Sequence, residues 1–97
     1  MERHKSMLVE AIRNSDIIPP KQKNTLEVLC LSEYPLTAKS IEKELGLSTP
    51  QVHFSLQSLL KRNFVIREKD GKFLYRANYS RIEELIKRHE KDKQKIT

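Results

Sequence analysis

Ninety-seven residues, 37% of them hydrophobic and none of them tryptophan, allow one small domain with a thin core, which leaves room for a second subunit to add stability. The single cysteine excludes an internal disulfide framework, and the formal charge of +6 points to a polyanionic partner. No run is long and apolar enough to span a bilayer and Met1 to Lys5 leads into no signal-peptide core, so a cytoplasmic location without a membrane partner is expected.

The first apolar stripe is Met7, Leu8, Ala11 and Ile12, on one face of a helix running from His4 to Ser15. Pro19 and Pro20 break the chain, and a second helix from Lys21 to Ser32 turns Leu26, Leu29 and Cys30 inward before Tyr34-Pro35 ends it. Cys30, on that apolar face, reads as a small core residue. Thr37 can cap a third helix whose apolar residues Ala38, Ile41 and Leu45 share a face, and Gly46 suits its left-handed end. Ser48-Thr-Pro-Gln51 then has the form of a capping box, with Pro50 in the first turn where its missing N–H costs little. The helix it opens, 49–62, turns Val52, Leu56, Leu59 and Leu60 inward. Two helices joined by so short a turn cross steeply and leave the second with a free face. That is the helix-turn-helix arrangement, which offers a second helix to the DNA major groove.

Residues 64–69 and 72–77 are rich in β-branched and aromatic types, and Asp70-Gly71 between them predicts a hairpin with a two-residue turn. In that register Ile66 faces Tyr75 and Val65 faces Arg76, with Arg67, Lys69, Lys72 and Arg76 decorating the strands. Ser80-Arg-Ile-Glu83 is a further capping box, opening a last helix over 80–95 with Ile82, Leu85, Ile86 and His89 on one side. The expected organisation is a single domain over 1–97, with a helical N-terminal part (1–18), a core (21–77) and the C-terminal helix.

Charge follows this plan. Residues 1–35 carry five cations and five anions, and residues 36–60 two of each. Residues 61–76 carry six cations against two anions, and residues 77–97 six against four. All the excess therefore lies from the end of the fourth helix onward, most of it on the hairpin, as expected for a polyanion footprint.

From roughly Thr25 to Lys87 the chain resembles the winged helix-turn-helix regulators, especially the arsenic-repressor-like and MarR-like families. The likeness lies in the spacing of Leu47, Ser48, Val52, Leu56 and Leu59, in the exit Lys61-Arg-Asn-Phe-Val65 and in the return strand from Gly71 to Arg76. It implies a mainly α fold with a small β-wing (α+β) and a homodimeric regulator of transcription, such as a repressor, that binds double-stranded DNA. It also implies a dimer interface on the terminal helices, at Met7, Leu8, Ala11, Ile12, Ile82, Leu85, Ile86 and His89. The metal motif of the arsenic-repressor-like family places two cysteines where this chain has Ala38-Lys-Ser-Ile41, so no metal and no cofactor are expected.

The outward face of the fourth helix carries Phe54 and Lys61, flanked by Pro50, Gln51, Gln57 and Ser58, with His53 nearer the boundary. With Ser48 and Thr49 at its start, these are the expected base-reading residues. Gln51 and Gln57 can pair with adenine and Phe54 can touch a thymine methyl, whereas arginine, the commonest reader of guanine, is missing from 48–60. In the families the chain resembles, the position of Phe54 is often basic. Arg67, Lys69, Lys72 and Arg76 are expected on phosphates. Two other uses of the same fold stay open: a protein-interaction module built around an exposed Phe54, and a DNA-binding protein of plasmid or viral segregation or replication. His4, His53 and His89 have no second metal ligand nearby in sequence, and no phosphate loop or nucleophile–base constellation is present, so no enzyme is expected.

Overall fold

Capping chemistry sets the helix ends in the computed structural model, which describes the backbone of residues 2–95 and the side chains of residues 4–87. Helices α1 (Glu2–Asn14) and α2 (Pro20–Leu31) precede α3 (Ala38–Leu45) and α4 (Thr49–Lys61); strands β1 (Val65–Asp70) and β2 (Lys72–Ala77) lead into α5 (Tyr79–Lys95). Thr37 Oγ1 accepts the Ser40 N–H at 3.2 Å to start α3, and Gly46 ends it at φ 64°. Ser48 Oγ accepts the Gln51 N–H while Gln51 Oε1 accepts the Ser48 N–H at 3.0 Å, a complete capping box. At the other end of α4, Asn63 takes a left-handed conformation, and the N–H groups of Asn63 and Phe64 return to the carbonyls of Leu60 and Leu59. Asn tolerates that conformation better than other side-chain-bearing residues, so α4 stops there and the chain enters the hairpin.

One core joins all seven elements. Leu8, Ile12, Leu26, Leu29, Ile41, Leu56, Leu59, Phe64 and Ile82 are fully buried in it, and Cys30 lies among them as expected. Helix α1 packs on α2 and α5, and α2 packs in turn on α3, α4 and β2.

The hairpin register differs from expectation. Val65 pairs with Ala77, Ile66 with Arg76, Arg67 with Tyr75 and Asp70 with Lys72. A two-residue turn of the expected type needs positive φ at both central residues, but only Gly71 has it, at 73°, and Asp70 does not. Burial decides between the alternatives. The observed register puts buried Val65, Tyr75 and Ala77 on one face against the core, whereas the expected one would set Arg76 beside Val65. A third strand-like contact escaped the sequence: Leu36 and Tyr75 exchange backbone hydrogen bonds of 2.8 and 2.7 Å. One residue is too short to leave a period.

The last helix also starts earlier than its sequence suggests. Tyr79 is its first residue, so Ser80 lies inside the first turn and not at the cap. Asn78 precedes the helix, and its amide closes the base of the hairpin instead, with Nδ2 donating to the Asn63 carbonyl at 2.8 Å. Glu83, expected to complete the box, lies 3.1 Å from His4 of α1.

Candidate nucleic-acid interface

Helix α4 is held from behind and open in front. Val52, Ser55, Leu56 and Leu59 are buried, while His53, Phe54, Gln57 and Lys61 face solvent. Phe54 is 70% exposed, an unusual position for a phenylalanine in so small a core. Ser58 is half-buried on the flank. The expected readers thus lie on one accessible face, with two qualifications. Gln51 Oε1 accepts from both the Ser48 N–H and the Ser48 hydroxyl, at 3.0 and 3.1 Å, so only its amide nitrogen is left for a base. Thr49 Oγ1 donates to Glu42 of α3 at 2.8 Å, which ties the helix start to its neighbour.

The end of α4 is fastened by two arginines that composition alone counts with the cationic patch. The Arg62 guanidinium donates to the Ile17 carbonyl in the α1–α2 connection. Arg81, from the first turn of α5, donates to the Arg62 carbonyl at 3.1 Å, stacks 4.5 Å from the Phe64 ring centroid and pairs with Glu84. These are orienting contacts, made across long stretches of sequence that carried no signal for them.

On the wing the cations divide by face. Arg67 and Lys69 share the face of Phe73, with the guanidinium 4.6 Å and the ammonium 5.8 Å from its ring centroid. Arg76 lies on the opposite face and its Nε donates to Glu68 at 2.6 Å. Partly neutralised there, it is less available to a phosphate than Arg67, Lys69 and the exposed Lys72. The cationic patch is therefore smaller than the sequence count and concentrated nearer the tip.

The terminal helices bring together most of the residues expected at a dimer interface, but inside one chain. Leu8 and Ile12 of α1 and Ile82 and Leu85 of α5 are buried in the domain's own core. Met7 is 53% exposed, Ala11 and Ile86 are half-buried, and His89 lies outside the described side chains. Among the described residues, no three of His, Cys, Asp and Glu stand together as metal ligands, and no helix is long and apolar enough to cross a membrane.

The family model described as sugar-specific transcriptional regulator TrmB matches residues 24–81, more than half of the chain. Among curated proteins none matches it. Several solved structures share the fold. A MarR family protein from Bacillus stearothermophilus is 22% identical with a TM-score of 0.61, the likeness covering 98% of this chain and 69% of that one. A protein from the thermoacidophilic archaeon Sulfolobus tokodaii is 23% identical with a TM-score of 0.58, covering 92% and 93%. A protein of unknown function from Listeria innocua is 20% identical with a TM-score of 0.59, and the likeness covers 89% of this chain but only 65% of that protein.

Proposed function

The chain belongs to the TrmB family, a family of winged-helix transcriptional regulators and not of enzymes, and from that premise we propose that it binds double-stranded DNA as a homodimer in the cytoplasm. Helix α4 lies in the major groove and the wing on the flanking phosphates. One observation carries this reading: α4 is locked on its inner face by the core and at both ends by hydrogen bonds, yet its outer face, with His53, Phe54, Gln57 and Lys61, is exposed to solvent. A rigid helix with a free face is what groove insertion requires. The wing supplies affinity without sequence preference, because Arg67, Lys69 and Lys72 are free to meet phosphate oxygens.

Salt-dependent titration tests it. Each phosphate neutralised releases condensed counterions, so the logarithm of affinity falls with the logarithm of salt by about 0.9 per contact. Replacing Arg67, Lys69 and Lys72 together with alanine flattens that slope by about three units and weakens binding to all sequences alike. An unchanged slope removes the wing from the interface. A native protein with no salt-dependent DNA binding overturns the reading as a whole.

A further inference from the structure

We propose that the groove beside Phe54 receives the C5-methyl group of a pyrimidine, thymine or 5-methylcytosine, from the floor of the DNA major groove. This rests on the reading that α4 enters that groove, and it specifies what α4 recognises there. The groove, of about 360 Å³, opens between α2 and the first half of α4. Leu47, Pro50 and Phe54 form its apolar surface, and Lys21, Asn24 and Gln51 form its polar rim. No carboxylate lines it, so an apolar group carried by a polyanion can approach without repulsion, with Lys21 placed to meet the backbone. A second groove, of about 320 Å³, lies between α2 and α3 and is different in character: Val28, Leu31 and Leu36 line it with Glu44, and no cation does. Of these two grooves, the one on α4 has the charge to suit DNA.

The chemistry of the outer face points the same way. A C5-methyl is the one apolar group that base edges show in the major groove. Hydrogen-bonding readers are few here: there is no arginine between Ser48 and Leu60, and the capping box has taken the Gln51 carbonyl oxygen. Apolar contact must then carry a larger share of discrimination, and Phe54, standing 70% exposed at the groove edge, is the side chain placed to make it.

The test uses duplexes that the full chain itself enriches from a random library. These are resynthesised with uracil for thymine, and separately with 5-methylcytosine for cytosine; each change alters a methyl and leaves the pairing edges intact. A thymine source predicts that uracil weakens binding about fourfold for each methyl engaged. A 5-methylcytosine source predicts indifference to uracil and a similar tightening on cytosine methylation. Phe54→Ala abolishes whichever sensitivity the native chain shows while leaving the melting temperature nearly unchanged, since the side chain is 70% exposed and lies outside the buried core. Equal affinity for all three duplexes overturns the proposal, as does a Phe54→Ala protein that keeps the methyl sensitivity. If no duplex is enriched at all, it is the placement of α4 in DNA that fails.

Discussion

Cys30 and Tyr79 meet where α2 passes the start of α5, the phenol donating to the Cys30 carbonyl at 3.3 Å. Burial raises the thiol pKa; Glu27 adds to this and Lys5 opposes it. Burial also raises the Tyr79 phenol, with Cys30 reinforcing the effect and Arg76 opposing it. Both acids hold their protons more tightly in the folded chain than in the unfolded one. The folded state therefore binds more protons across the interval between the two values, and stability falls as pH rises beyond the ordinary thiol pKa of about 8.5. Urea unfolding followed from about pH 7 to about pH 11 is expected to show this alkaline decline. Cys30→Ala flattens its first part and Tyr79→Phe its later part, and a decline unaltered by both substitutions assigns it to other groups. The same burial makes Cys30 a packing residue with little thiolate at neutral pH.

At the scale of elements, α4 depends on its start. Ser48 satisfies a helix-end donor that would otherwise be orphaned, and Ser48→Ala is expected to lower stability by about 1 kcal/mol in denaturant titration. Gly46, at φ 64° with open space around its α-carbon, offers a cleaner comparison. Gly46→Ala meets no neighbour, so its cost is the left-handed backbone alone, about 1–2 kcal/mol. These signals were legible in the sequence because caps and helix ends are local: Thr37, Gly46, Ser48 and Gln51 act within three or four residues of their partners. The outward face of α4 was legible too, since a helix wheel needs only the period. Hairpin register was not. It depends on φ at Asp70 and on which register brings Val65, Tyr75 and Ala77 to the core, and the dipeptide Asp-Gly reports neither. The same limit hid the Leu36–Tyr75 bridge, the hold of Arg62 on Ile17 and the pairing of Arg76 with Glu68. Counting charges along the wing treated four cations as equivalent; only cross-strand geometry shows that one of them already has a partner.

At the scale of the whole molecule, the proposed homodimer makes demands on the terminal helices. Periodicity turned Leu8 and Ile12 of α1 and Ile82 and Leu85 of α5 inward, though it included the exposed Met7 and passed over the buried Val9, and it is silent on whether such faces pack within a chain or between chains. Within the chain, Leu8, Ile12, Ile82 and Leu85 are taken up by the core that joins α1, α2 and α5. What stays accessible is Met7, with Ala11 and Ile86 partly so. An interface on these helices must therefore be built from that remnant strip, continued by whatever the rest of α5 presents. Leu8→Asp inserts an unpaired charge into the core and is expected to unfold the protein, which carries no information about association. Met7→Asp combined with Ile86→Asp is the informative variant, because Met7 is 53% exposed and Ile86, which packs on the edge of the core, is only partly buried. Its expected outcome is a monomer by light scattering with a native circular dichroism spectrum. DNA binding should weaken as well, since a two-fold dimer engages two half-sites about one helical turn apart and a monomer engages one. A variant that stays dimeric places the contact away from α1 and α5, and the spacing of half-sites in the enriched duplexes then becomes the measure of where the two recognition helices stand.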